Sequence, residues 1–172
     1  MPQLTLTTLS TTILRIPGAD RWSANPDDPA LSVMTDFRKR SSVTVPETAS
    51  IDAALEHMKH TGVRCAFAID ESQRLVAGLI TAYDIMGEKP MRHMQATSTA
   101  RAQMRVKDLM LRPPDWRVAH IKEIERSTVA AAARLFEESQ LTHIVVMETD
   151  DYGVQRLRGL LSAAKLRRLL AR

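Results

Sequence analysis

Two segments of this sequence carry side chains that could bind a polar ligand. Residues 78–85 read G-L-I-T-A-Y-D-I, and residues 159–166 read G-L-L-S-A-A-K-L. Thr81 and Asp84 have the spacing of a capping box, in which a hydroxyl and a carboxylate bond the first N–H groups of a helix. The same groups suit a ligand, because helix N-termini attract phosphate and a carboxylate accepts hydrogen bonds from a diol. Lys165 replaces the acid in the second segment and offers no acceptor.

These segments belong to a repeated unit. Residues 51–58 and 129–136 place apolar side chains at i, i+3, i+4 and i+7, which predicts one helix in each copy at an offset of 78. Gly62 ends the first helix as a left-handed cap residue does, and Gln140 holds that place in the second. The repeat therefore indicates that one structural unit is built twice.

The rest of each copy supplies strands, which gives the order β-α-β-β-α. Apolar runs predict a strand after each helix, a turn, and another strand leading into the Thr81 or Ser162 segment. A further strand precedes each helix. The predicted strands are residues 42–46, 63–70 and 75–80 in the first copy and 119–124, 141–148 and 157–161 in the second, with turns at 71–73 and 148–153.

We divide the chain into four parts. Residues 1–30 are rich in threonine, proline and polar residues and predict an extended N-terminal arm. Residues 31–88 form the first repeat, 89–105 a polar and partly helical linker, and 106–172 the second repeat. A unit of about 60 residues buries too little surface to be robust alone, so we expect the two copies to pack together.

Composition narrows the functional classes. The 172 residues are 44% hydrophobic and 26% charged, as in ordinary globular proteins. The 24 basic residues are interspersed with 20 acidic ones, so a nucleic-acid partner is not expected. Cys65 is the single cysteine, which excludes an intrachain disulfide and multi-cysteine metal sites. No secretory signal or membrane-spanning run is recognisable, and we expect a cytoplasmic protein.

The motifs resemble those of a known family. V-M-T-D at 33–36, V-T-V-P at 43–46, G-V-R-C-A-F-A-I-D at 62–70 and the 78–85 segment together resemble the cystathionine-β-synthase (CBS) domain. Two in tandem resemble the Bateman module, in its stand-alone bacterial form. The likeness covers about residues 31–172, and Leu109-Met110 is a weaker counterpart of Val33-Met34.

The resemblance implies a fold, a ligand and an assembly. The fold is α+β, a mixed α/β arrangement of two tandem repeats packed with pseudo-two-fold symmetry behind the arm. The ligand is an adenosine-containing molecule, namely AMP, ADP, ATP or S-adenosylmethionine, held in a cleft between the repeats. The assembly is a homodimer formed through the helices of the repeats.

The resemblance also assigns ligand contacts in the first repeat. Thr81 and Asp84 contact the nucleotide, with capping as a compatible role, and Arg64 lines the phosphate side unless it is a solvated surface arginine. Ser42 and Val43 contact the adenine. The remaining candidates from the same motifs are Val63, Cys65 and Leu79. Cys65 also reads as a small buried residue, because no base partner for a nucleophile is identifiable.

The second repeat departs from the family pattern at Lys165. Together with Thr142, His143 and Ser162, this lysine has the chemistry to hold phosphate. The alternative is an empty or purely structural second cleft. The sequence alone leaves both interpretations open.

These observations predict a non-catalytic regulatory module that senses an adenosine-containing ligand. The alternative is a structural or protein-interaction CBS pair that has lost ligand binding. No nucleophile with a base and no metal cluster emerges, so we predict no catalytic residues, no metal and no catalytic cofactor. The nucleotide is then a regulatory ligand, and an unidentified protein is a further possible partner.

Overall fold

The computed structural model describes residues 21–70, 72 and 75–171. Residues 1–20 of the predicted arm and most of the predicted 71–73 turn lie outside this range. The described helices and strands are β1 (Thr35–Asp36), β2 (Thr44–Pro46), α1 (Ile51–His60), β3 (Cys65–Ile69), β4 (Val76–Thr81), α2 (Ala82–Met86), α3 (Lys89–Thr97), α4 (Val106–Leu109), β5 (Val118–His120), α5 (Ile121–Glu125), α6 (Val129–Ser139), β6 (His143–Thr149), β7 (Gln155–Ser162) and α7 (Ala163–Leu170).

The chain has the predicted mixed α/β fold with two copies of one unit. Repeat 1 contributes β2, α1, β3, β4 and α2, and its sheet has the order β2-β3-β4. Repeat 2 contributes β5, α6, β6, β7 and α7, and its sheet has the order β1-β7-β6-β5. In each unit the first strand is parallel and the last antiparallel to the middle one.

Equivalent local signals begin and end the long helix of each repeat. The hydroxyls of Ser50 and Thr128, 78 positions apart, accept from the N–H groups of Ala53 and Ala131 at 3.2 Å. After the helices, Gly62 has φ = +69° and Gln140 has φ = +56°. The left-handed conformation predicted at both positions is confirmed.

The predicted strand at 119–124 is wrong in its position. The strand is Val118–His120, and residues 121–125 form α5. The prediction carried the offset of 78 back past the helix. Val118 pairs with Val145 as Thr44 pairs with Phe67, so Val118 is the counterpart of Thr44 and the offset between β2 and β5 is shorter than 78. The additional helix α5, between β5 and α6, accounts for the difference.

The segment before the first strand of each β-α-β-β-α unit, β2 or β5, packs on the other repeat. Strand β1 pairs with β7, with Thr35 opposite Leu160, while Leu111 forms a bridge with Leu79 of β4. A Cβ on Gly159 would lie 2.6 Å from the carbonyl oxygen of Thr35. Gly78 and Gly159 thus each allow a close crossing by the segment that precedes the β-α-β-β-α unit of the other repeat.

The same exchange organises the hydrophobic core. The core of repeat 2 contains Ala30, Val33 and Met34, which lie before β2 in sequence. The core of repeat 1 contains Met104, Val106, Leu109 and Met110, which lie before β5. A third cluster joins the two sheets and consists of the buried residues Cys65, Phe67, Leu79 and Val145.

Part of the predicted arm is integrated into repeat 2. The N–H of Ala24 donates to Leu169 O, and the N–H of Val129 donates to Asp28 O at 2.8 Å. Ala30 is fully buried. Within the described part of the arm, residues 24–30 therefore follow the surface of repeat 2.

A cluster of charged side chains fastens β1 to repeat 2. Arg158 is 10% exposed at its side chain and pairs with Asp36, and its Nε lies 3.3 Å from a carboxylate oxygen of Glu148. Arg38 donates to the same oxygen at 2.6 Å. This cluster links residues that are more than a hundred positions apart in sequence.

Candidate ligand-binding cleft

A cavity of about 440 Å³ opens between the two repeats. Its size lies within the range of ordinary small-molecule sites. Residues of β3, β6, β7 and α7, together with the segments around β1 and β2, form its wall. They are Thr35, Phe37, Ser41, Val43, Gly62, Val63, Arg64, Cys65, Phe67, His143, Leu160, Ser162, Ala164, Lys165 and Arg168.

The cleft brings together seven of the twelve predicted ligand-binding residues. These are Val43, Val63, Arg64, Cys65, His143, Ser162 and Lys165. Ser42, Leu79, Thr81, Asp84 and Thr142 are not in its wall. Both repeats contribute to a single cavity, and the segment carrying Lys165 is part of it.

Helix α7 presents two cations to the cleft. Ser162 precedes the helix, and its hydroxyl accepts from the Lys165 N–H at 3.4 Å. Lys165 and Arg168 follow three residues apart, which places them on one helical face. His143 lies beside them, because it pairs with Ser162 in the sheet.

Repeat 1 supplies a third cation and the apolar floor. Exposed Arg64 precedes β3, and its Nη1 lies 3.3 Å from the hydroxyl of Tyr83. Phe37 and Phe67 are in edge-to-face contact with ring centroids 5.6 Å apart. The described wall therefore combines three cations with hydroxyls and aromatic surface, and it contains no Asp or Glu.

Cys65 is unsuited to nucleophilic chemistry in this cleft. Burial, with a smaller effect of the Asp84 charge, raises the pKa of its thiol to about 12. The thiolate is the reactive form of cysteine, so this side chain stays protonated at neutral pH. Its contribution to the wall is a small apolar surface.

Thr81 and Asp84 form the predicted capping box at the start of α2. The Asp84 N–H donates to the Thr81 hydroxyl at 3.1 Å, and the Thr81 N–H donates to Asp84 Oδ2 at 2.8 Å. The Thr81 hydroxyl also donates to Oδ2, and Lys89 Nζ lies 2.6 Å from Oδ1. The Asp84 side chain is 17% exposed. Both of its oxygens therefore have protein partners.

The segment that carries Asp84 lies beside the cleft, because Thr81 pairs with the wall residue Cys65 in the sheet. The pKa of His143 is lowered to about 4, chiefly by burial, and the nearby Asp84 carboxylate opposes this lowering whereas the Arg64 guanidinium adds to it. The Thr142 hydroxyl lies 3.1 Å from His143 Nδ1. His143 is thus a neutral imidazole in the cleft wall at pH 7.

Sequence reasoning missed several residues of the wall. Arg168 could have been found from its i, i+3 spacing to Lys165. Ser41 and Val43 line the cleft while Ser42 does not, and contact of Ser42 and Val43 with an adenine stays a prediction. Nothing in the local pattern indicated Phe37, which reaches the site because β1 joins the sheet of repeat 2.

A model of the family described as "CBS domain" matches residues 30–90 and 106–172. The chain belongs to the CBS-domain family. The two matches correspond to the tandem pair, so the resemblance to a CBS pair is confirmed. No protein with a curated description matches the chain.

Solved CBS-pair structures share this fold. The structure of CBSX2 in complex with AMP is 23% identical, with a TM-score of 0.52, over 82% of this chain and 94% of that one. A CBS-domain containing protein from Agrobacterium tumefaciens is 17% identical, with a TM-score of 0.55, over 90% and 96%. The CBS pair of protein MJ0100, in complex with 5′-methylthioadenosine and S-adenosyl-L-methionine, is 19% identical, with a TM-score of 0.52, over 84% and 96%.

No described helix combines the length and the apolar character needed to cross a membrane. Within residues 21–70, 72 and 75–171, no three His, Cys, Asp or Glu side chains are grouped as metal ligands.

Proposed function

We propose that this CBS pair is a non-catalytic regulatory module that binds an adenosine-containing ligand in the cleft between its repeats. The observation that carries the proposal is the composition of the cleft wall, where Arg64 of repeat 1 and Lys165 and Arg168 of repeat 2 surround one cavity with aromatic floor. CBS pairs of the same fold are complexed with AMP, or with 5′-methylthioadenosine and S-adenosylmethionine.

The proposed contacts divide the ligand into three parts. Val43 and Val63 contact the adenine by apolar surface. Asp84, at the edge of the cleft, accepts from the ribose diol once Lys89 yields one of its carboxylate oxygens. The cations of the wall bind the negatively charged groups of the ligand.

The position of the cleft explains how occupancy would regulate. A ligand that touches both repeats favours the arrangement of the repeats to which it binds more tightly. A protein partner would recognise that change in the arrangement of the repeats. The single buried cysteine is consistent with the reducing cytoplasm as the site of action.

We also propose that the module is a homodimer formed through the helices. Tyr83 and Met86 on α2 and Leu135 on α6 are large apolar side chains exposed at 42%, 61% and 43%. Light scattering at micromolar concentration is expected to give about twice the chain mass of 19.3 kDa. A particle of the chain mass would overturn this part of the proposal.

Thermal unfolding with AMP, ADP, ATP and S-adenosylmethionine tests ligand binding directly. A ligand at roughly 100 times its dissociation constant stabilises the folded state by about 2.7 kcal/mol. At least one of the four is expected to raise the melting temperature by several degrees. Unchanged melting with all four at millimolar concentration would favour the alternative, a structural CBS pair without ligand binding.

A further inference from the structure

We infer that two copies of this chain pair head to tail, with helix α2 of each copy packed in the groove between α6 and α7 of the other. This inference rests on the homodimer of the proposed function and assigns its orientation and contacts. The contacts follow from two surface grooves that occupy the same place in the two repeats.

Each repeat has an outer groove between its two helices. The groove between α1 and α2 has a volume of about 520 Å³, and the groove between α6 and α7 has about 770 Å³. Their walls use equivalent positions, 78 apart in the long helix and 81 apart in the short one. The equivalent wall residues are Leu55 and Ala133, Met58 and Phe136, Lys59 and Glu137, Ala82 and Ala163, and Met86 and Arg167.

The shapes of the two grooves are complementary. Tyr83 and Met86 project from α2 of repeat 1, with 42% and 61% of their surface exposed. Repeat 2 has Ala164 at the place of Tyr83, and Ala133 at the place of Leu55. Repeat 1 therefore presents projecting apolar side chains, whereas repeat 2 presents the larger groove.

The charges of the two grooves are complementary as well. Among the described residues, the ionised side chains of the repeat 1 groove are Lys59 and Arg64, and those of the repeat 2 groove are Glu137 and Arg167. Lys59 also pairs with Glu56 of its own helix, but this pair is exposed and therefore weak. Contact between unlike grooves brings Lys59 toward Glu137, whereas contact between like grooves brings Lys59 toward a second Lys59.

Two-fold symmetry then fixes the orientation of the dimer. A contact from repeat 1 of one copy to repeat 2 of the other is made twice in such a dimer. A head-to-head dimer would place Tyr83 and Met86 against the same side chains of the second copy and leave the two larger grooves facing each other. The head-to-tail dimer fills both. Val63 and Arg64 line the repeat 1 groove and also the ligand cleft, so the second copy packs beside the cleft wall.

Cross-linking with a short bis-maleimide tests the orientation. Cys65 is the single native cysteine, and burial raises the pKa of its thiol to about 12, so it stays protonated and unreactive. Met86→Cys and Arg167→Cys, one of them tagged, are mixed to allow exchange of chains. We expect the two variants to cross-link to each other and neither to cross-link to itself. Met91→Cys is the control, because Met91 is 63% exposed and lies outside both grooves.

Charge reversal tests the contact between the grooves. Glu137→Lys is expected to raise the dimer dissociation constant about tenfold, measured by analytical ultracentrifugation, because it places two lysines together. Glu138→Lys, at an exposed position outside the groove wall, is the matched control and should leave the constant unchanged. Adding Lys59→Glu to Glu137→Lys is expected to restore the parent value, because the charges are then exchanged.

The outcomes separate the orientation from the homodimer itself. If Met86→Cys cross-links to itself in place of Arg167→Cys, the dimer is head to head and the inference is wrong while the homodimer stands. A dimer without cross-links that is also unaffected by Glu137→Lys would show that the grooves are not its interface, and the inference would again be wrong. If the parent protein has the mass of one chain, the proposed homodimer fails and the inference fails with it.

Discussion

Lys89 forms a salt bridge with the carboxylate of Asp84. Its Nζ lies 2.6 Å from Oδ1 and 3.4 Å from the carbonyl oxygen of Leu109, while Oδ2 faces Thr81. Helix α3, which links the repeats, thereby places a cation on the acid that we propose as the ribose contact. Under that proposal, Lys89 and the ribose compete for Oδ1.

Removing this competitor is expected to strengthen ribose recognition. Lys89→Met frees Oδ1, and a hydrogen bond to a charged group is worth about 1.5 to 3 kcal/mol. We therefore expect the variant to bind ATP about tenfold more tightly and 2′-deoxy-ATP as the parent does, measured by calorimetry. Equal gains for both sugars would remove Asp84 from the ribose contact.

Asp84 also has a structural role that can be measured separately. Asp84→Ala breaks the capping box of α2 and is expected to lower the free energy of unfolding by about 1 kcal/mol in urea denaturation. Glu88→Ala is the control, because it removes a nearby carboxylate whose pair with Arg92 is exposed and contributes little to stability. A similar loss in both variants would argue against the capping contribution of Asp84.

His143 makes stability depend on pH. Because burial lowers its pKa from 6.5 to about 4, the unfolded chain binds this proton before the folded one does. Stability is therefore full above about pH 6.5 and falls as the pH decreases toward 4. His143→Gln is expected to flatten this part of the profile in urea unfolding at several pH values. His57→Gln, at an exposed position of α1, should leave the profile unchanged.

Arg158 is expected to be more important for stability than its neighbour in β7. Arg158→Met removes the ion-pair partner of Asp36 and leaves Glu148 with Arg38 alone. Breaking a buried pair costs roughly 3 to 5 kcal/mol. We expect about 3 kcal/mol, because the two carboxylates keep some exposure. Arg156→Met removes an exposed pair with Asp150 and should cost much less, because solvent screens exposed pairs. Comparable losses in chemical denaturation would contradict the assignment.

Gly159 is expected to tolerate no side chain. A Cβ there would lie 2.6 Å from the carbonyl oxygen of Thr35 and 2.8 Å from Sδ of Met34. Gly159→Ala should lower the free energy of unfolding by about 1 to 3 kcal/mol, as overpacking does. It should also speed hydrogen exchange at Phe37, whose N–H donates to Arg158 O. Unchanged exchange at Phe37 would show that β1 is not held by this crossing.

Much of the fold could be predicted because its signals are local. The periodicity of α1 and α6, the left-handed residues Gly62 and Gln140, and the Thr81 capping box each depend on neighbours within a few positions. Repetition of these signals predicted two units in the correct order. The strand observed at Val118–His120 was predicted at 119–124, because the sequence comparison did not account for α5, which has no counterpart in repeat 1.

The site could be predicted only in part. The motifs indicated seven residues of the cleft wall, but Arg168, Ser41 and Phe37 join it through packing. Nor did any motif indicate that Lys89 would cover Asp84, because the pair depends on how α3 folds back on α2.

Local sequence patterns suffice to establish two copies of one β-α-β-β-α unit and the replacement of Asp84 by Lys165 between them. Long-range packing sets which repeat the segments before β2 and β5 join, which cations share a cavity and which acids are paired. These contacts join residues far apart along the chain: Asp36 and Arg158 pair across 122 positions. Such contacts form only when whole sheets have packed, and no local periodicity records them.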